Sequence, residues 1–340
     1  LNRIVSPEFE GASLLVSIKD IAKQAGVSIS TVSYALNGSD KVTRDTAARI
    51  LRIADELNYV PHAAARLLKK RQSHLIGIFL TDFSGNFYGD LLQGVKEYLS
   101  GKGYDLLVCS GAQSRRLIPE RMIDGAIVLD ETFSDKELLQ YAEQGYKAVV
   151  LDRELNHANL NQVLLDNKAG ATLAMEYLLE SGHDKIYAIT GPKGSYDANQ
   201  RLHAVRQAAR RAPLAEVIEL PGNFTREAGE EAAKRIAEQY DRPAAVFCLN
   251  DEMAIGAYRY FRSHAQLTLG EQIHLIGFDN IELAQFAQPR LATIDYSMRK
   301  WGSLASEQLL RMLAGEPVEP ERIYVSLIRG ESVKPLPIAL

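Results

Sequence analysis

Ser17-Ile18-Lys19-Asp20-Ile21-Ala22-Lys23-Gln24-Ala25-Gly26-Val27-Ser28-Ile29-Ser30-Thr31-Val32-Ser33-Tyr34-Ala35-Leu36-Asn37-Gly38 is the stretch from which the rest of the chain is read. Ser17 and Asp20 stand at capping-box spacing, so a helix starts there, with a hydroxyl and a carboxylate available for the orphan amides of its first turn. The spacing predicts a helix over Ile18–Ala25, ended by Gly26, whose backbone accepts positive φ. After a three-residue turn Ser28 caps a second helix, Ile29–Leu36. Ile21, Ala22, Val27, Val32 and Leu36 recur on the inner side of the pair, leaving Ile29, Ser30, Ser33 and Tyr34 on the outer face of the second helix. Such a face can enter a DNA major groove.

Asn37-Gly38 closes the second helix and Thr43 caps a third, in which Ala47, Ile50, Leu51, Ala54 and Leu57 recur at helical spacing to complete a small core. Pro61 stops the unit. Residues 62–70 are Ala-rich and lead through Lys69 and Lys70 into Arg71; they have helix propensity but no large apolar face, so a partner must order them. From Ser17 to Arg71 there are ten Lys or Arg against five Asp or Glu, a net of +5 in a chain whose total is −4. The first sixteen residues carry −1, so everything beyond Arg71 carries −8. A basic head on an acidic body meets phosphates at one end only. The plain alternative is a three-helix module with a solvated basic face.

Six blocks in order sharpen the choice: Ile18-Lys19-Asp20-Ile21-Ala22, Ala25-Gly26-Val27-Ser28, Thr31-Val32-Ser33, Leu36-Asn37-Gly38, Leu57-Asn58-Tyr59-Val60-Pro61 and Ala65-Arg66-Leu67-Leu68. They resemble the head of the lactose-repressor (LacI/GalR) family of bacterial transcription regulators. The resemblance implies that the second helix reads the major groove and that hinge helices of two subunits meet at the operator centre, where Leu68 wedges into the minor groove. It implies DNA contacts from Ser28, Ile29, Ser30, Thr31, Ser33, Tyr34 and Asn37, and from His62, Ala65 and Leu68 of the hinge. Tyr34 stands where many relatives have Arg. A phenol cannot make a bidentate contact to guanine, so their operator preference does not carry over.

The first sixteen residues, with Ser6-Pro7-Glu8-Phe9, fit an appended remnant better than a folded element, and Leu14-Leu15-Val16 is too short for a signal core or a membrane span. No later run approaches membrane length, which makes a soluble, cytoplasmic protein the expectation. At 340 residues and 46% hydrophobic, the chain can bury one large or two medium domains beyond the head. Cys109 and Cys248 sit in apolar runs and read as buried reduced thiols. The seven histidines lack metal-ligand spacing, so neither a metal nor a cofactor is expected.

Beyond Gln72, apolar runs alternate with amphipathic helical segments. Residues 75–80, 104–109, 126–129 and 148–151 form one βα series; 162–165, 186–190, 217–220, 245–249 and 273–277 form a second. The fold class is therefore a small all-α helix-turn-helix head plus an α/β body of two parallel-sheet subdomains. The expected boundaries are 17–61 for the head, 62–72 for the hinge and linker, and 73–340 for the effector-binding and dimerisation body. Its first subdomain takes 73–164 plus 296–325, its second 165–295 plus the C-terminal segment.

Ligands of such sheets bind at the carboxyl ends of strands. The loops there hold Thr81, Phe87 and Tyr88; Asp152-Arg153; the stretch leading to Arg201; Phe224; Asn250-Asp251; and Asp279-Asn280. Aromatic faces among Asp, Asn and Arg suit a polyol, which needs fixed polar partners for its hydroxyls and a flat wall for its C–H face. Asp152, Asp251 and Asp279 could instead cap helices. We read Asp251 as such a cap, and Asp152 and Asp279 as facing one cleft. Arg201-Leu202, Gly222-Asn223-Phe224, Asn250-Asp251-Glu252-Met253-Ala254-Ile255-Gly256, Ile276-Gly277-Phe278-Asp279 and Pro289-Arg290-Leu291-Ala292-Thr293-Ile294 extend the resemblance to the family's effector domain, with its periplasmic-binding-protein-like fold. It implies effector contacts from Thr81, Phe87, Tyr88, Asp152, Arg201, Phe224, Asn250 and Asp279. Ala204 and Val205 depart from the family pattern, and the short segment between Cys109 and Asp124 puts the helix expected there in doubt.

No GxxxxGK[ST], GxSxG, HExxH or GxGxxG motif occurs, so nothing selects an enzyme over a binding protein. An exported sugar receptor fits the body but not the basic head. The expectation is a homodimeric repressor binding double-stranded operator DNA, controlled by a sugar or sugar-phosphate effector, with a nucleobase as the alternative. Dimerisation follows because one recognition helix reads only a few base pairs. No C-terminal heptad extension for further pairing follows Arg329.

Overall fold

The structure, a computed structural model, describes residues 16–59, 72–83, 87–264 and 267–336, and divides into two compact units, Leu1–Gln72 and Ser73–Leu340. The expected hinge helix, with His62, Ala65 and Leu68, lies outside the described residues.

In the first unit α1 (Ile18–Ala25), α2 (Ile29–Leu36) and α3 (Arg44–Glu56) enclose a small core. The Asp20 carboxylate accepts from the Ser17 amide at 2.9 Å and from its hydroxyl at 2.7 Å, and Gly26 ends α1 at φ 65°. Ser28 and Thr43 cap α2 and α3 through the amides of Thr31 and Thr46. Ile21, Val32 and Ile50 are fully buried, joined by Ala25, Ala35 and Ile53. Leu51, expected in this core, is instead 49% exposed. It sits a third of a turn round the helix from Ile50, whereas Ile53 and Ala54 lie under it.

The second unit has two lobes. In the first lobe β1 (Leu75–Leu80), β2 (Asp105–Ser110), β3 (Gly125–Leu129), β4 (Ala148–Val150), β5 (Leu160–Leu165) and β11 (Glu321–Ile323) form a parallel sheet in the order β11-β5-β4-β3-β1-β2. In the second lobe β6 (Lys185–Ile189), β7 (Glu216–Leu220), β8 (Ala244–Cys248) and β9 (Ile273–Ile276) form a parallel sheet in the order β7-β6-β8-β9. The run around 162–165, which chain order assigns to the second series, belongs to the first sheet. It pairs with β4 through a connection without a helix, and strand order in a chain does not dictate which edge is free. Between Cys109 and Asp124 the chain makes a short 3-10 helix, Ala112–Leu117, in place of an α-helix.

The helix α4 (Phe87–Ser100) packs on α11 (Met298–Ala314), backbone against backbone: a Cβ on Gly94 would strike the Arg299 carbonyl, and one on Gly302 that of Leu91. Trp301, fully buried, donates its indole N–H to the Val163 carbonyl at 2.7 Å. The other large helices, α6 (Asn167–Glu180), α7 (Tyr196–Arg211), α8 (Arg226–Glu238) and α9 (Asp251–Ser263), pack on the second sheet. Cys109 and Cys248 are buried and free. The chain passes between lobes three times, at 166, at 296–297 and at 324–325; beside the last two, β10 (Thr293–Asp295) and β12 (Ser326–Ile328) pair antiparallel. β10, β11 and β12 escaped the sequence: each has three residues and, unlike β4, none forms a wholly apolar run.

The C-terminal segment straps onto the second lobe over His183 and His274, buried with ring centroids 4.1 Å apart. His274 Nε2 lies 3.2 Å from the Glu271 carbonyl, and its Nδ1 accepts the Lys334 amide at 3.1 Å, the pattern of a neutral ring. Burial, then the neighbouring His183, press the His274 pKa down to about 4. A depressed histidine pKa gives stability that is complete above the ordinary 6.5 and lost as pH falls toward the folded-state value. From about pH 7 to about pH 5 this residue therefore contributes a loss of about 2 kcal/mol. Denaturant unfolding at both pH values checks it: the acid loss should shrink by that amount in His274→Phe, and an unchanged loss refutes the assignment.

Candidate functional site

The carboxyl ends of both sheets open on one cleft of about 670 Å³ between the lobes. Thr81, Phe87, Tyr88 and Asp152 line it from the first lobe, and Arg201, Phe224, Asn250 and Asp279 from the second. All eight sequence-predicted positions are thus brought together, though their side chains are not equally available.

Arg201 and Asp279 are 3% and 4% exposed. Arg201 donates from Nε to Asn167 Oδ1 at 2.8 Å and from Nη1 to the Leu249 carbonyl at 2.5 Å; its Nη2 lies 3.5 Å from Asp279 Oδ1, and its guanidinium stacks 3.6 Å over the Phe278 ring. Tyr296 donates its hydroxyl to Asp279 Oδ1 at 2.9 Å. Burial outweighs these partners and pushes the Asp279 pKa up to about 7. Asp279 also sits at φ 113°, a conformation L-residues avoid at a cost of about 1–3 kcal/mol. What holds it there is Asp251. Contrary to expectation Asp251 caps nothing: Asn250, in extended backbone, is the N-cap of α9 and accepts from the Met253 amide. Asp251, one residue further, is fully buried, accepts from the Ile281 amide and the Thr293 hydroxyl, and donates its own amide to the Phe278 carbonyl, fixing both ends of the Asp279 turn.

Asn250 also donates to the Phe224 carbonyl at 3.0 Å, so its amide is spent on building the site. Phe224 itself, at φ 69°, lays its ring on Gly191, where a Cβ would collide with it. Phe87 and Tyr88 meet edge to face at 5.0 Å, and burial, then Asp82, pushes the Tyr88 hydroxyl up to about 12. The Thr81 hydroxyl points to Asp130 at 3.3 Å. Both oxygens of Asp152 are taken by Arg153, at 2.7 and 2.8 Å.

Sequence reasoning missed Asp197, Glu131 and Tyr196. Asp197 accepts from Asn167 at 2.7 Å, and burial raises its pKa. Its signal was present: Asp197 and Arg201 are four apart on the first turns of one helix and so share a face. Tyr196 donates to Glu154, which Arg322 also contacts, both at 2.8 Å, joining the second lobe to the first.

On the head, Ser28, Ile29, Ser30 and Asn37 are exposed and Thr31, Ser33 and Tyr34 half-buried. Ser28 is bonded to Thr31, and the Asn37 amide donates to the Ser33 carbonyl, so these groups fix the helix ends. Ile29 and Ser30 stand outward, and Lys41 Nζ lies 5.2 Å over the Tyr34 ring.

Residues 17–62 match the profile described as bacterial regulatory proteins, lacI family, and 175–333 that of a periplasmic binding protein-like domain. The probable HTH-type transcriptional repressor ExuR of Bacillus subtilis is 32% identical over 318 residues, covering 91% of this chain and 95% of that protein. The chain belongs to the lacI family of bacterial regulatory proteins. Among solved lacI-family structures, a sugar-binding transcriptional regulator from Enterococcus faecalis is 45% identical over 78% of this chain and 99% of its own, with a TM-score of 0.74. The lac repressor dimer bound to operator and the anti-inducer ONPF is 26% identical over 94% of this chain and 99% of its own, with a TM-score of 0.74. As a lacI-family member the chain is a DNA-binding transcriptional repressor and not an enzyme. Among the described residues no helix is long and apolar enough to cross a membrane.

Proposed function

We propose that this repressor acts as a cytoplasmic homodimer on a two-fold operator, and that a sugar in the cleft sets its operator affinity. One observation carries the effector half of this reading: the 670 Å³ cleft at the strand ends, with Phe224 and Tyr88 as flat walls and Arg201 and Asp279 held rigid between them. The E. faecalis relative, described as sugar-binding, supports it, and the lac repressor dimer on operator supports the dimer. The boundaries at 17–61, 62–72 and 73–340 and the DNA-contacting role of Ser28 to Asn37 belong to the same proposal.

A ligand shifts operator affinity only by binding one lobe angle better than another, and bound operator must then change ligand affinity by the same factor. Operator selected from a random duplex pool, titrated with and without the sugar, tests this; a factor of one, with neither ligand altering the affinity for the other, would sink the coupling. In the same assay Tyr34→Ala should cost about 1–3 kcal/mol of discrimination between operator and mismatched duplex while leaving sugar affinity unchanged. Equal discrimination by parent and variant would remove Tyr34 from the reading face.

A further inference from the structure

We infer that the effector is an uncharged polyol and that the cleft turns away phosphorylated and carboxylated sugars. This rests on the reading of the cleft as a sugar site. Among the described residues seven carboxylates and two guanidinium groups line it, with no Lys or His. Neither guanidinium stands as an unpaired charge. Arg153 uses all five of its N–H groups: Nε and Nη2 on Asp152, Nη1 on Asp135 and the Phe133 carbonyl, and Nη2 again on the Asp130 carbonyl. Arg201 spends two donors on Asn167 and Leu249, and its charge is met by Asp279 at 3.5 Å.

Glu131 and Asp197 add two further carboxyl groups; among the described residues neither is ion-paired, although the charge of Arg153 bears on Glu131 and that of Arg201 on Asp197, and burial, the larger effect, raises the pKa of both, so that each resists a second negative charge beside it. Helix starts ordinarily attract anions. Here the starts of α7, α8 and α9 each give one amide to a cap, Ala198 to Ser195, Ala228 to Thr225 and Met253 to Asn250, and their first turns already carry acids: Asp197, Glu227, and Asp251 with Glu252. A phosphate or carboxylate would thus enter an anionic, partly desolvated cleft whose two described cations are already paired with carboxylates. Hydroxyl groups fit the same lining, since each carboxylate oxygen accepts more than one O–H donor.

The test uses the full-length protein in thermal-shift and calorimetric titrations against the common pentoses, hexoses and disaccharides, each beside its phosphate and its uronic acid. Stabilisation by a neutral sugar, with at least tenfold weaker binding of its phosphate and uronate, is the expected result. Binding of a phosphate or uronate as tight as that of the neutral parent overturns the inference and leaves the sugar site standing. If no member of any class binds, the sugar reading fails and takes the inference with it. In Glu131→Gln combined with Asp197→Asn, the preference for neutral sugar over phosphate should shrink at least tenfold; a preference that does not move shows that charge is not its origin and overturns the account.

Discussion

Raising salt from about 50 to 200 mM should lower operator affinity of the full-length protein by about a thousandfold or more. The six basic side chains described in the head, Lys19, Lys23, Lys41, Arg44, Arg49 and Arg52, are all exposed, and a dimer presents them twice. Each phosphate they neutralise releases condensed counterions, which higher salt makes less favourable. The residues beyond Arg71 carry −8 and cannot share this task. Anisotropy of a labelled operator duplex across a salt series reads the slope directly. Lys41→Ala should reduce it by about two, one per subunit, if that side chain meets a phosphate. A flat response, or the same slope from a chain beginning at Ser73, would mean that the head is not the phosphate-binding end.

Arg201→Ala should destabilise the body by about 3–5 kcal/mol, because it strands a buried carboxylate and two buried acceptors. The pH dependence separates these causes. Asp279, already pushed up to about 7 by burial, rises further without the guanidinium. A carboxylate with a raised pKa contributes stability that is present at low pH and lost as pH rises through the folded-state value. The variant should therefore be hurt most above about pH 7 and least near pH 5, where Asp279 is protonated; the part that persists in acid belongs to Asn167, the Leu249 carbonyl and the stacking on Phe278. Fluorescence of the single tryptophan, Trp301, follows unfolding. An identical loss at both pH values would show that Asp279 does not depend on Arg201. The variant should also lose its effector response at every pH.

The head was legible almost residue by residue, because caps, a glycine stop and helical spacing act over three or four neighbours, and Ser17, Gly26, Ser28 and Thr43 all stand where they were expected. Leu51 and Ile53 mark the limit: spacing offers several apolar positions, and only the partner helices choose among them. The body was legible as alternating strands and helices but not in its sheet membership, since β5 and β11 are joined by pairing across about 155 intervening residues. In the cleft, residue type and loop position found Arg201, Phe224 and Asp279. They could not show that the cap of α9 falls on Asn250 while Asp251 is buried behind the Asp279 turn, because a cap is decided by the backbone angle of one residue. Glu131 was overlooked because a lone acid in a loop has no local signature, and only the folded cleft counts its charge with the others; Asp197 did have one, its four-residue spacing to Arg201 on one helix, but spacing alone does not say that this face meets the cleft.

The three passages between the lobes impose a mechanical restriction. Three short ribbons side by side, at 166, 296–297 and 324–325, behave as a leaf hinge: they yield to bending about the line that joins them and resist sliding or twisting, which would stretch one ribbon against another. The relative placement of the lobes then has in effect one degree of freedom rather than six. Tyr296 belongs to one of these ribbons and its hydroxyl is bonded to Asp279, so a bend at that ribbon is passed by one hydrogen bond to the floor of the cleft.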